Sequence, residues 1–366
     1  MGRHWERGGF GEGEWVRGAS GCDGLRSPQI MARPAPTAQE QLDFLGKIER
    51  LLSQGRFTST YKFALLIALT NIAVERGDDT GEELEVELEE IARQYLALYW
   101  NMARPYPRVA AILKQNREAA KPSKMITLLK EEARTSQSSY QRLRVYRASR
   151  DGLVNEAIKT LAKNPIHCLQ TIGKTSESTN DRFLFDHPAT AAKCATLKRI
   201  VLKPGVSASL RRMRGIIVAL VQSRWALWIR ENNDKLAADR ELESFLFGAS
   251  RSPVSVYAER FYELQSGRCF YSGTKLAAPN KGEVDHFIPW ARYPFDSPFN
   301  LVLASREVNN KMRDELKKPE WRERWLERND EHAAVLVKKF GAAEVDQETV
   351  RLIAEWVYKR EPRVTG

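Results

Sequence analysis

The chain has 366 residues, of which 42% are hydrophobic and 29% charged, and it carries a formal net charge of +11 at pH 7. That length supports two domains with separate cores, and four scattered cysteines (Cys22, Cys168, Cys194 and Cys269) do not make a disulfide framework. The longest apolar run, Phe63 to Val74, is interrupted by Thr70 and Asn71 and falls short of a membrane span. With no secretory signal either, a cytoplasmic protein with reduced thiols and no membrane partner is expected.

Residues 1–37 are rich in Gly, Arg and Trp and lack periodicity. They read as a disordered basic arm or, preferably, as a translated upstream region preceding a start at Met31. Gly9-Phe10-Gly11-Glu12-Gly13 imitates a nucleotide-binding loop, but no strand precedes it and no Gly-Lys-Ser/Thr follows.

From 38 to 247 the pattern predicts a helical domain. Leu42, Phe44, Leu45, Ile48, Leu51 and Leu52 recur at helical spacing, as do residues between Phe63 and Val74. Thr58-Ser59-Thr60 offers capping residues for the second helix. Leu84 to Leu88 alternates like a strand, yet Ile91, Tyr95 and Leu98 restore a helical period. The clearest helix is expected over 208–231, with Met213, Ile217, Leu220, Trp225 and Trp228 along one side.

Charge is unevenly placed. Residues 38–100 hold 6 Lys/Arg against 12 Asp/Glu, whereas residues 104–214 hold 23 against 8. Within the basic stretch, Arg142 and Arg144 lead one cluster with Arg147 and Arg150, and Arg211 and Arg212 belong to a second with Lys198, Arg199, Lys203 and Arg214. Clustered cations bind phosphate through counterion release, so these are candidate nucleic-acid contacts. A solvated helix face is the plainer alternative for either cluster taken alone.

A hinge is expected at 248–253, followed by a short helix over 256–265. The most informative stretch comes next. Glu283-Val284-Asp285-His286-Phe287-Ile288-Pro289-Trp290 places an acid beside a histidine on a short apolar strand. Asn300-Leu301-Val302-Leu303 and Val308-Asn309-Asn310-Lys311 follow. Hydrolysis of a phosphodiester needs a base for water and a cation for the phosphorane and the leaving oxygen. His286 suits the base, because imidazole with a pKa of about 6.5 is largely neutral at working pH. Asp285 offers a hard oxygen to Mg²⁺ or Mn²⁺. Successive strand residues face opposite ways, so the two must meet at a strand end or twist. Residues 306–317 suit a helix with Ser305 as N-cap, from which Asn309 could bring an amide oxygen to the same ion.

Residues 266–314 resemble an HNH endonuclease, the ββα-metal fold. The likeness runs from Gly267-Arg268-Cys269-Phe270-Tyr271-Ser272-Gly273, taken as the first hairpin strand, through the segments just quoted. The resemblance implies His286 as general base, Asp285 and Asn309 as ligands of a single Mg²⁺ or Mn²⁺, and Asn300 as the residue that braces the loop and orients the base. Asn310 is the second candidate for the position given to Asn309. Lys311 and Arg292, beside this set, join the candidate nucleic-acid contacts. Many members of the family hold a structural zinc with paired Cys-x-x-Cys motifs, but here Ser272 stands three residues after Cys269 and no later cysteine exists. A structural zinc is therefore not expected, and Phe270, Tyr271, Phe287, Ile288 and Trp290 are expected to hold the hairpin by packing.

The resulting expectation is a mainly α protein: a helical domain over 38–247, basic in 104–214, a small nuclease domain over 248–320, and helices over 321–366 packed on the core. Its implied partner is nucleic acid, DNA before RNA, with room for a protein partner or activator. The whole-chain arrangement resembles uncharacterised bacterial HNH proteins, some relatives of which serve in defence against phage or in restriction, and a defence role is what that resemblance implies. The alternatives are a non-catalytic DNA-binding or scaffold subunit with a degenerate nuclease fold, and an RNase. No P-loop, zinc-deaminase signature or Gly-x-Ser-x-Gly is present.

Overall fold

The structure is a computed structural model that describes residues 33–117, 122–135, 151–163, 165–173, 179–188, 190–234, 236, 241–248, 254–289, 292–293, 297–312, 315–340 and 347–359. Residues from Arg33 onward fall in a single compact unit. Residues 1–32 of the extension expected over 1–37, most of the expected hinge, Trp290 and the cluster containing Arg142 and Arg144 lie outside the described residues.

The fold is mainly helical, as the periodicity predicted. Helix α1 (Ala38–Gln54) opens with a capping box in which Thr37 and Glu40 satisfy each other's backbone N–H groups. Its stripe of Phe44, Ile48, Leu51 and Leu52 is buried, but Leu42 lies off that stripe and is 62% exposed. Helix α2 (Tyr61–Arg76) is buried on nearly every side, so its sequence is apolar all round and not striped. The Thr60 hydroxyl does not cap it. That oxygen is engaged instead with the Tyr99 hydroxyl at 2.7 Å and the Gln115 Oε1 at 2.8 Å, since both lie in the same buried pocket.

Residues 84–99 resolve their mixed signal by being both things in turn. Strand β1 (Leu84–Glu87) runs directly into α3 (Leu88–Tyr99), with Glu87 as a capping residue. There follow α4 (Lys124–Thr135), α5 (Asp151–Lys163), α6 (Pro165–Cys168), the two-residue strands β2 (Thr171–Ile172) and β3 (Thr179–Asn180), and α7 (Ala191–Cys194). Strand β4 (Arg199–Leu202) then pairs antiparallel with β1, Val86 opposite Ile200. The helix expected over 208–231 is two helices, α8 (Val206–Arg212) and α9 (Arg214–Asn232), broken at Met213. At the break Arg211 and Arg212 turn back towards the end of α2 and the loop after it. Leu220, expected on the inner side, is 36% exposed.

Helix α10 (Leu242–Phe247), a 3-10 turn at Val254–Tyr257 and α11 (Ala258–Leu264) lead to the second core. Strands β5 (Gly282–His286) and β6 (Leu301–Ser305) form an antiparallel pair with Asp285 opposite Val302 and His286 opposite Leu301. Helix α12 (Arg306–Met312) follows at once, and then come α13 (Pro319–Glu331), α14 (Ala333–Phe340) and α15 (Gln347–Lys359). No described helix is long and apolar enough to cross a membrane.

Two apolar clusters result. The first joins the buried faces of α1 through α10. The second gathers Phe261, Phe270, Tyr271, Phe287, Ile288, strand β6, Trp325 and the inner face of α15. Phe287 stacks on Trp325 with ring centroids 4.4 Å apart, a contact worth about 1 kcal/mol beyond the area it buries.

The clusters are stitched together along α2. Val74 belongs to the second cluster although its helix builds the first. The buried Arg211 donates to Val74 O and, at 3.4 Å, to Leu352 O, while the Trp356 indole donates to Arg211 O at 2.8 Å. Tyr293 Oη donates to Glu75 Oε1 at 2.8 Å, and the Arg214 guanidinium lies 4.6 Å from the Tyr293 ring centroid.

Candidate active site

The segment expected as a first hairpin strand is a tight turn closed by one isolated bridge, Arg268 to Lys275. Cys269 N–H donates to Thr274 O and Gly273 N–H to Cys269 O, both at 2.9 Å. Gly273 has φ +71°, a conformation that side chains resist, which is why the chain turns here and does not run on as a strand. The sulfur of Cys269 lies inside the turn and accepts Ser305 N–H at 3.2 Å. Burial pushes this thiol up, but hydrogen bonds from Ser272, Ser305 and Tyr271 outweigh burial and hold it below its ordinary value. The turn is thereby tied to the junction of β6 and α12. Arg324 on α13 adds donors to Phe270 O and Tyr271 O. Phe270, Tyr271, Phe287 and Ile288 are all buried in the surrounding cluster.

On β5 the alternation of a strand sets Glu283 and Asp285 on one face. Helix α12 lies across that face, because Asn309 Nδ2 donates to Glu283 Oε2 at 2.9 Å. Ser305 Oγ accepts Val308 N–H at 3.4 Å and so caps the helix that presents Asn309. Asn310, by contrast, is exposed.

Asp285 is largely buried, its side chain 16% exposed. Its Oδ2 accepts from Tyr271 Oη at 2.8 Å and stands 3.4 Å from Lys317 Nζ. Burial, with the Asp285 carboxylate beside it, pushes the Tyr271 hydroxyl well above its usual value, so Tyr271 acts as a donor. His286 ends β5 and is half-buried, at the strand end where the alternation is released.

Asn300 is fully buried and closes the loop between the strands. Its Oδ1 accepts Ile288 N–H at 2.7 Å, its Nδ2 donates to Ile288 O at 3.2 Å, and its own carbonyl accepts Phe287 N–H at 2.7 Å. The two residues that follow His286 are thus fixed by one side chain and its backbone. From α13, Asn329 donates to Phe299 O, and Arg328 to Phe299 O and Leu301 O, which sets the start of β6 from behind.

Among the described residues, no group of three or more His, Cys, Asp or Glu side chains stands together to hold a metal ion. The pair expected from the sequence, Asp285 and Asn309, is smaller and harder. Asp285 Oδ1 and Asn309 Oδ1 accept no hydrogen bond among the described residues, whereas the other polar atom of each side chain is committed to a partner. A carboxylate oxygen and an amide oxygen fit Mg²⁺ or Mn²⁺, which draw their remaining ligands from water and phosphate.

The predicted cations divide. Lys311 is exposed and pairs with Glu307 at 2.7 Å, and Arg292 is exposed in the loop after β5. Arg211 is 1% exposed and spans α2, α8 and α15, so it is a structural pin and not a phosphate contact. Arg212 braces the same region, reaching Pro36 O and Asp79 O at 3.3 Å. In the same group Arg199 pairs with Glu85 at 2.9 Å and Lys203 with Asp186 at 3.1 Å. Three residues that bear on the site were not singled out for it from sequence: Glu283, Tyr271 and Lys317. Glu283 was open to discovery, being two residues before Asp285 on a strand. Tyr271 is expected from the sequence only as hairpin packing, and Lys317 ends the stretch expected as a helix over 306–317, whereas α12 runs only over Arg306–Met312.

Comparison with known proteins agrees with this layout. Residues 39–244 match the family described as Domain of unknown function (DUF8808), and residues 269–316 match the family described as HNH endonuclease. No curated protein matches the chain.

Proposed function

The chain belongs to the family described as Domain of unknown function (DUF8808) and carries an HNH endonuclease domain, and from that premise we propose that it is a divalent-metal-dependent endonuclease acting on DNA. The observation that carries the reading is the junction of β5 and α12. There Asp285 and Asn309 keep one oxygen each uncommitted, beside a histidine at a strand end whose following residues Asn300 holds rigid.

In this reading His286 takes the proton of the attacking water, and Asn300 maintains the backbone that aims the imidazole. Asp285 and Asn309 hold Mg²⁺ or Mn²⁺, which when bound supplies positive charge to the phosphorane and the leaving 3′ oxygen. Tyr271 keeps Asp285 oriented by donating to its other oxygen. Lys311 and Arg292, both exposed, contact flanking phosphates.

The test is supercoiled plasmid incubated with the full chain in Mg²⁺, Mn²⁺ or EDTA, next to His286→Ala. Metal-dependent nicked or linear DNA that disappears in the variant is the expected result. Cleavage that persists in His286→Ala would remove the assigned base. Activity confined to an RNA substrate would turn the reading to a ribonuclease.

A further inference from the structure

Lys317 is almost completely buried beside Asp285. Its side chain is 1% exposed, its backbone N–H donates to Tyr358 Oη at 3.2 Å, and its ammonium lies 5.4 Å from the Tyr271 ring centroid. The Nζ makes no hydrogen bond among the described residues, although it has three donors to place. Its ion-pair partner is Asp285, at 3.4 Å from Oδ2. A buried ammonium without aligned acceptors is costly, so its place here calls for a use. The second acid on this face is treated alike: Glu283 faces Arg306 at 3.5 Å and receives the Asn309 amide. Each carboxylate beside the site therefore already has a cation.

We propose that Lys317 is a resident counter-cation that makes the site close to neutral before loading, so that a divalent ion binds weakly alone and tightly only together with a nucleic-acid phosphate. This rests on the reading of Asp285 and Asn309 as the metal-holding pair. A dication entering a site whose one ligating carboxylate is already paired gains little, because its attraction to Asp285 is opposed by its repulsion from Lys317. A backbone phosphate restores the missing negative charge. Linkage then requires that DNA strengthen metal binding by the same factor by which the metal strengthens DNA binding. Lys317 is in this sense a positioning residue, acting on Asp285 through charge and not touching the scissile group.

The experiment is isothermal titration calorimetry of Mn²⁺ into the full chain carrying His286→Ala, which prevents cleavage, with and without a short double-stranded DNA. DNA is expected to tighten Mn²⁺ binding by tenfold or more. Adding Lys317→Met, close in shape and uncharged, is expected to tighten Mn²⁺ binding without DNA by about tenfold. That is the effect of removing a unit charge a few ångströms from a dication even at the dielectric of water. The gain from DNA should shrink in step. Lys317→Gln serves as the second neutral variant if the first does not fold, and the coupling in the protein that retains Lys317 is informative without either. Equal Mn²⁺ affinity with and without DNA, or neutral variants that bind Mn²⁺ no more tightly, would overturn the proposal while leaving a metal site in place. No Mn²⁺ binding under any condition would instead overturn the metal-dependent reading, and this proposal with it.

Discussion

Asn300 shows how much one buried amide can fix. Both of its side-chain atoms are spent on the backbone of Ile288, two residues past His286. Asn300→Ala would leave a buried N–H and C=O without partners, a loss of about 2–3 kcal/mol. Thermal unfolding should register that loss, and cleavage at a temperature where the variant is folded should fall further than stability explains. Lys62 offers a second case, well away from the site. Burial pulls this lysine down to about 8, from an ordinary 10.5. Between those values the unfolded chain binds the extra proton, so Lys62 weighs against folding below pH 8 and that burden lifts as pH rises towards 10.5. Lys62→Met should therefore add on the order of 3 kcal/mol of stability at pH 7, read as a higher melting temperature, and the gain should fade by pH 10.5. A gain that is constant with pH would mean that packing, not charge, sets it.

At the scale of elements, the break between α8 and α9 matters most. Arg211 at that break bonds to Val74 O on α2 and Leu352 O on α15 and approaches Asp79 at 3.5 Å. Arg211→Ala should cost about 3 kcal/mol, as removal of one member of a buried charge set does. It should leave the salt dependence of DNA binding unchanged. Arg292→Ala should do the reverse, with stability preserved and the salt slope of binding reduced by about one. Measuring both on each variant separates a pin from a phosphate contact. The helices and the β5–β6–α12 unit were legible in the sequence because each carries its own period, its caps or its ordered Asp-His-Asn-Asn set. What escaped were features decided by tertiary partners. Thr60 forgoes its capping role for Tyr99 and Gln115, Leu42 and Leu220 face outward despite their spacing, and the turn at Gly273 replaces an expected strand. Arg211 belongs to the same class, since composition counts a buried arginine and an exposed one alike. The partners of Asp285, Tyr271 14 residues before it and Lys317 just beyond α12, are brought to it by the tertiary fold and not by a local period. The phage-defence setting came from the resemblance and has no counterpart in any single residue.

At the scale of the molecule, the two apolar clusters share α2. Val74 is buried with Ile353 and Trp356 of α15, and Lys359 approaches Asp79 at 3.7 Å. The chain should accordingly unfold in one transition by calorimetry and by fluorescence, with both probes coincident. A fragment beginning at 254 should be poorly soluble, because it uncovers the apolar face of α15 and leaves Tyr293 without Glu75. A soluble fragment with an unchanged melting point would show that the seam contributes little.

The bond between Glu75 and Tyr293 joins residues 218 positions apart, and Tyr293 stands a few residues after the histidine that ends β5. During synthesis at about 5–20 residues per second, Glu75 is made roughly 10–40 s before the tyrosine it will hold. The loop after β5, and the α15 face on which Tyr293 meets Trp356, can be assembled only once that later stretch of chain has been made. In the nuclease reading proposed above, a chain that has reached α10 but not β5 is a helical body without the proposed site, so the delay between the two is built into the order of the elements.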